Sequence, residues 1–365
     1  MAPAPRPRTL RKDTLPTTFK SYKPQVFSET ARASTLAPNI RSISWSPTGN
    51  AIAQCTSVNI RVWNSERPDV KASTEMKDGT RNTAHTSGVE KVAFNPRMEG
   101  VLASTGLDGM VKVWDVRLPG GATGIVGGGP MGKAGVTPRG GEYKVGDQGL
   151  FLTWHPAGTQ LLVGRRDDVV TALDVRKLDT TFIEPNADKF DLAPEDRTPF
   201  KDKGSYNMMT FSNSGREVFA TTAEGPVKIL DYPTMKPLYT LSAHTSSTYA
   251  VSHSPIGNYV AVGASDSLVS LWDTSSWMCA RVLSNHTSAV RDVSFSFDGT
   301  YLVAGCGADR DGDKGLSIWH VDMGEVVHTI ETVNPVTWVS WHPLRYAIAY
   351  GGDPGGLKVV GAYKD

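Results

Sequence analysis

A few groups of residues in this sequence have types and spacings that chemistry uses. Gly127-Gly128-Gly129-Pro130-Met131-Gly132-Lys133-Ala134 nearly spells a phosphate-binding loop, in which backbone N–H groups cradle phosphates and a lysine reaches their oxygens. Ala134 stands where a hydroxyl would hold Mg²⁺, and Gly135, Pro138, Gly140 and Gly141 break any helix that would follow. Without a helix N-terminus the phosphate site loses its main anchor, so a loop is the better reading. The same residues contain GxGxxG, a weaker signal still. Asp309-Arg310-Asp311-Gly312-Asp313-Lys314-Gly315 alternates three carboxylates like the start of a calcium loop. Lys314 replaces the required glycine and His320 the closing glutamate, which leaves a solvated hairpin turn.

The eight histidines tell against catalysis. His85, His244 and His286 each precede a strand unit, and His155 and His342 each precede proline, so five recur at equivalent places in a repeat. A histidine locked to a repeat reads as structural. No HExxH, no CxxC and no Gly-x-Ser-x-Gly elbow occurs. Cys55, Cys279 and Cys306 are odd in number and widely spaced, which argues against a disulfide framework or a zinc knuckle. The sequence therefore predicts no catalytic residue, no metal, no cofactor and no small-molecule substrate. It has no run of 18 apolar residues, so no membrane span is expected.

Charge is uneven. Residues 1–41 carry Arg6, Arg8, Arg11, Lys12, Lys20, Lys23, Arg32 and Arg41 against Asp13 and Glu29, a net +6; the whole chain is +1, which leaves −5 for the rest. With Pro3, Pro5 and Pro7 the first 20 residues read as a basic disordered arm. Arg6, Arg8, Arg11 and Lys12 are its candidate phosphate or RNA contacts, and the arm also suits a nuclear address.

The elements that must position these groups are short. Gly and Pro, 36 and 23 of 365 residues, disfavour long helices. The phrase Ile43-Ser44-Trp45-Ser46-Pro47-Thr48-Gly49 returns as Val92-Ala93-Phe94, Leu152-Thr153-Trp154, Met209-Thr210-Phe211, Val251-Ser252-His253, Val293-Ser294-Phe295 and Val339-Ser340-Trp341. Each is followed by an apolar stretch, a polar turn and an alternating run such as Val111-Lys112-Val113-Trp114 or Leu268-Val269-Ser270-Leu271. Period two marks half-buried strands. Seven units of this size each hold three or four antiparallel strands and must stack to bury both faces.

Repeat length, turn position and aromatic position together resemble WD40 repeats, over roughly residues 22–362. The resemblance implies an all-β fold, a seven-bladed WD40 β-propeller. His85, Ser104, Asp108 and Trp114 of blade 2 stand where that family places a His–Ser–Asp–Trp hydrogen-bond chain. Blade 5 keeps His244, Asp266 and Trp272 but has Val262 in the serine position, and blade 3 has Asp167 but Leu173 instead of Trp. Such divergent blades are expected to be held mainly by apolar packing. Too few residues follow Val360 for another strand. The propeller, taken as 21–362, is therefore expected to be closed by part of Ser21–Glu29, with Gln25-Val26-Phe27-Ser28 as the strand. Deleting residues 1–30 should then lower the melting temperature. Insertions near 117–147 and 176–203 interrupt the period. If Tyr143-Lys144-Val145 and Phe200-Lys201 are outer strands, both insertions leave from one face; Thr181-Phe182-Ile183 is a rival strand.

The phrases Arg166-Asp167-Asp168-Val169-Val170-Thr171, Asp231-Tyr232-Pro233-Thr234-Met235-Lys236-Pro237-Leu238 and Ala264-Ser265-Asp266 through Trp272-Asp273 are more particular. They resemble the WD-repeat subunit of the THO complex. That family implies a non-enzymatic nuclear scaffold of the transcription-export (TREX) assembly, with other THO subunits as partners in messenger RNA processing and export. RNA contact, if made, would be weak and through the basic arm. Arg165 and Arg166, in a blade 3 turn, are candidate partner-binding residues, since arginine is favoured in recognition; a self-paired surface cluster is the alternative. Arg117, in Val113-Trp114-Asp115-Val116-Arg117, resembles the WDxR box of cullin-RING substrate receptors, so adaptor work in a ubiquitin ligase is the competing expectation.

Overall fold

The computed structural model describes residues 9–28, 39–77, 83–117, 141–175, 200–201, 205–307 and 313–362. The glycine-rich loop 127–134, the carboxylate run 309–312, the rival strand at 181–183, and Arg6 and Arg8 all lie outside the described residues. The strands form seven antiparallel sheets of four. Blades 1 to 6 take their strands in sequence order from residues 40–76, 89–144, 149–201, 206–241, 248–283 and 290–330. The first strand of each blade contacts the first strands of both neighbours, and Trp338–Trp341 meets Ile40–Trp45, so the ring is shut. The fold is a seven-bladed β-propeller.

The recurring phrase is the inner strand together with the turn that leaves it. Gly49, Gly158, Gly215, Gly257 and Gly299 close these turns at φ of 70 to 82°, a conformation open mainly to glycine. The middle serine of the phrase stitches neighbouring blades. Ser44 Oγ accepts the Phe94 N–H at 2.9 Å, and Ser294 Oγ accepts the Trp341 N–H at 3.0 Å. The His-Pro histidines do the same on the far side. The His342 ring lies 4.7 Å from Trp45, and a side chain at Gly49 would collide with it.

The core is divided among the seams. Ala53, Cys55, Ile60 and Met76 of blade 1 pack on Val92, Phe94, Leu102 and Trp114 of blade 2, and the other seams repeat the theme. At about 25 cal/mol per Å² of buried apolar area, each seam depends on both of its blades, so an unpaired blade would lose much of its stabilisation.

Blade 7 is built from both ends of the chain. Its inner three strands, Trp338–Trp341, Ala347–Gly351 and Leu357–Gly361, are completed by Gln25–Phe27, with Gln25 opposite Val359 and Phe27 opposite Leu357. Phe27 is fully buried, with its ring 5.7 Å from Trp63 of blade 1.

One expectation needs correction here. The arm does not stay without structure through residue 20, because Leu15–Ser21 is a helix. Pro16 sits in its first turn, where a missing N–H costs nothing. Leu15 and Phe19, four residues apart on one face, are both buried against blades 6 and 7. Phe19 meets Trp341 edge-on at 5.9 Å. Ahead of the helix, the Tyr346 hydroxyl accepts the Leu10 N–H at 3.1 Å, while the Tyr301 hydroxyl donates to the Leu10 carbonyl at 2.7 Å. A seven-residue helix is marginal alone; tertiary packing holds this one.

Candidate functional site

In blade 2, Ser104 sits on the second strand and Trp114 on the third. Asp108 lies in the turn between them, and His85 on the segment entering the blade. Gly109, at φ 69°, lets the turn fold back so that Asp108 also accepts the Met110 N–H at 3.1 Å. The Trp114 indole N–H donates to Ser104 Oγ at 2.9 Å. Ser104 Oγ lies 2.7 Å from His85 Nε2, and His85 Nδ1 lies 3.0 Å from Asp108. One assignment of protons satisfies every member: indole to serine, serine to Nε2, and Nδ1–H to the carboxylate. Burial pushes the Asp108 carboxyl up, but His85, the Thr86 N–H and the Met110 N–H outweigh it and hold the group at about 2.

This Ser–His–Asp order is that of a nucleophilic triad, yet it is sealed. Ser104 is fully buried and His85 nearly so. The arrangement rivets three segments of a blade instead of delivering an alkoxide.

Blade 5 contains the same chain from a different source. The His244 Nδ1 lies 2.8 Å from Asp266, and its Nε2 2.9 Å from Ser270 Oγ, which also accepts the Trp272 indole N–H at 2.9 Å. Val262 at the usual serine position therefore does not leave blade 5 to apolar packing alone, because its cross-strand partner Ser270 supplies the hydroxyl. Blade 3 differs again, since its Asp167 pairs with Arg165.

The candidate arginines have unequal freedom. Arg165 is mostly buried and spends its guanidinium on Asp167 and on the Val145 carbonyl at 2.6 Å. Arg166 is exposed and reaches Gln148 at 2.9 Å. Arg117 folds back on Asp115 at 2.5 Å with 61% of its side chain exposed, and its hydrogen bonds hold the Asp115 carboxyl below the usual range against burial. In the arm, Lys12 lies 3.6 Å from Glu325, and the Arg11 carbonyl accepts the Thr14 and Leu15 N–H groups at the start of the helix. Among the described residues, Arg165 and Arg166 share one blade 3 turn, Arg117 follows the third strand of blade 2, and Arg11 and Lys12 precede the helix, so the candidates fall into three separate groups.

The sequence reading missed a charged set around the central channel. Lys91 on blade 2 reaches 4.9 Å above the ring of Trp338 on blade 7. Asp292 on blade 6 accepts the Val339 N–H at 3.1 Å, and burial, partly offset by Lys91, pushes its carboxyl up to about 6. Arg41 and Glu90 pair between blades 1 and 2. The available signal was their common place in the inner strands, three or four residues ahead of each recurring aromatic. A cavity of about 440 Å³ opens at the other end of the inner strands of blades 2 to 4, beside Phe94, Arg97, Trp154 and Phe211. Its Arg97 donates to the Pro156 carbonyl and its Asn213 to Ser254 and Pro255 carbonyls, so these polar groups are committed to backbone.

Comparison with known proteins gives the family. The model of the WD domain, G-beta repeat, matches residues 79–115, 235–273 and 277–320. THO complex subunit 3 of Arabidopsis thaliana is 30% identical over 315 residues, covering 86% of each chain. The chain belongs to the THO complex subunit 3 family. The WD repeat-containing protein AAC3 of Dictyostelium discoideum is 27% identical over 66% of this chain, which spans 47% of that longer protein. Among solved structures, the β-propeller domain of Myceliophteria thermophila Cps50 (Swd1) superimposes with a TM-score of 0.67 at 16% identity, covering 93% of this chain and 99% of that one, a likeness of fold alone. Membership of the THO subunit 3 family and a WD-repeat propeller both support a scaffold role.

Proposed function

We propose that this protein is a non-enzymatic scaffold subunit of a THO assembly, acting in the nucleus in messenger RNA processing and export and bound chiefly to other THO subunits. The observation that carries the reading is identity sustained over 86% of both chains. The physical fit is supportive. A rigid disc orders few residues on docking, so the entropic cost of a polar interface stays low. The part of the chain beyond residue 41 sums to −5 and does not attract phosphate strongly, which directs most contacts to protein. RNA contact is assigned to the basic arm, is weak, and should disappear with salt. Mixing the full chain with single-stranded RNA at low and moderate salt tests this last point, and salt-resistant binding would contradict it.

Affinity purification of the full chain from nuclei, followed by mass spectrometry, tests the main reading. Large THO subunits should co-purify; their absence from a folded, nuclear bait would overturn it. Arg117→Ala separates the ubiquitin-ligase reading, which no comparison favours: it should leave THO recovery unchanged and abolish any cullin-RING recovery only if that reading holds.

A further inference from the structure

Blade 6 departs from blades 2 and 5 at the corresponding histidine. By register, Ala304 takes the place of Ser104, since each stands opposite the valine of the inner strand. Ser317 takes the place of Ser270, but its hydroxyl accepts the Asn285 amide at 2.9 Å. The His286 side chain is buried to 1% exposure, and its Nε2 is left without a partner. The ring therefore stands outside the hydrogen-bond chain of blades 2 and 5, and a buried, unpaired ring nitrogen is costly.

A cysteine has entered on the other side of the ring. Cys306 stands where blade 2 has Gly106, a position at which an added side chain would face His85 Nδ1 and Asp108. Its Sγ lies 2.9 Å from His286 Nδ1, and the Asp313 carboxylate lies 3.5 Å from the same nitrogen. The three donor atoms lie within 4.8 Å of one another. Thr287 fixes the carboxylate through its N–H at 2.7 Å and through its hydroxyl.

We propose that His286, Cys306 and Asp313 form a binding site for one zinc-class divalent cation, with water in the fourth position. Zinc takes thiolate, imidazole and carboxylate ligands at about 2.0–2.3 Å, which places neighbouring tetrahedral donors about 3.3–3.6 Å apart. The imidazole–carboxylate separation already meets that spacing. The sulfur, 2.9 Å from the nitrogen and within 4.8 Å of the carboxylate, must move away from the first by roughly 0.5 Å and toward the second by up to about 1 Å. Soft sulfur beside imidazole selects against magnesium and calcium. Thr287 supplies the outer hydrogen bonds that such carboxylate ligands use. Zinc binds cysteine as the thiolate, so a thiol ligand must give up its proton. Forming the metal–sulfur bond therefore releases that proton to solvent, and loading should strengthen as pH rises.

The test is titration of the chelator-treated full chain with Zn²⁺, followed by thermal melting, and with Co²⁺, followed by thiolate-to-cobalt charge-transfer absorption. One equivalent should bind, raise the melting temperature and produce the absorption band. Cys306→Ser and Asp313→Asn should each weaken binding more than about 100-fold, beyond the 10–100-fold typical of losing an outer partner, which is the loss expected for Thr287→Val. Cys279→Ser, on the exposed rim, should bind as the parent does. If Cys306→Ser does not fold, Asp313→Asn and Cys306→Ala carry the comparison. A folded parent without the cobalt band or zinc-dependent stabilisation would leave a thiol–imidazole hydrogen bond as the sole content of the site and overturn the proposal, as would undiminished binding by the Cys306 variants.

Discussion

Blades 2 and 5 make the same polar chain from serines on different strands. In blade 2 the hydroxyl comes from Ser104 on the second strand, opposite Lys112; in blade 5 it comes from Ser270 on the third, opposite Val262. The two serines occupy the facing positions of one cross-strand pair. Cβ atoms of such a pair stand about 4.5–5.5 Å apart, so a hydroxyl from either side reaches the same point between indole and imidazole. The fold thus requires a hydroxyl at a point in space and not at a place in the repeat. Lys112, across from Ser104, pairs with Glu142 at 2.8 Å, and its ammonium stands over the Trp114 ring, 5.8 Å from the centroid, as a cover for this indole. Trp114 is fully buried, whereas Trp272 keeps 8% of its surface exposed.

The largest effect should separate the two tryptophans. Trp114→Ala should cost about 3–5 kcal/mol, the range for emptying a large aromatic site. Trp272→Ala should cost about 1 kcal/mol less, because its site is more open and collapses more readily. Urea unfolding of the two variants under one set of conditions measures the difference. Equal losses, or a larger one for Trp272, would mean that the lysine cover in blade 2 adds nothing.

Next come the histidines. His85→Ala should destabilise by about 2–3 kcal/mol, because it leaves both Asp108 and Ser104 short of a buried partner. Acid provides an independent readout. With its folded pKa at about 2, below the ordinary aspartate value of 3.8, Asp108 contributes stability that is present above about pH 4 and is lost as pH falls toward 2. That contribution is about 1–2 kcal/mol after allowance for partial solvent screening. In His85→Ala the slope between pH 4 and 2 should flatten. An unchanged acid slope would show that the Thr86 and Met110 N–H groups alone depress the carboxyl.

The same pair of blades shows where sequence reading succeeds and where it stops. Seven units are visible because the Val-Ser-Trp phrase carries both an inner-strand face and a glycine turn, two constraints that recur wherever a blade meets the channel. The blade 2 histidine, serine, aspartate and tryptophan could be named because they keep their positions along the chain. Ser270 could not, because cross-strand neighbours are remote in sequence and only register joins them. The helix Leu15–Ser21 is hidden for a related reason, since its two apolar residues gain their meaning from Trp341 and Tyr346, more than 300 positions away. Asp292 and Lys91 are likewise ordinary strand residues until the ring brings blades 2 and 6 to one channel.

Moving the hydroxyl back across the strand pair gives the smallest effect and the sharpest test. Ser270→Ala should cost about 1–2 kcal/mol, since it strips a shared partner from the Trp272 indole and from His244. If position in space is what matters, Val262→Ser in that background should recover part of the loss, with the hydroxyl now on the strand that carries it in blade 2. Recovery should be incomplete, because the exchange also removes two methyl groups from a buried site. A double-mutant cycle isolates the coupling from that packing loss. A favourable coupling of about 0.5–1 kcal/mol would mean that either strand can supply the group. A coupling of zero would mean that blade 5 has shaped its surroundings around Ser270 alone, and that the two chains are only superficially alike.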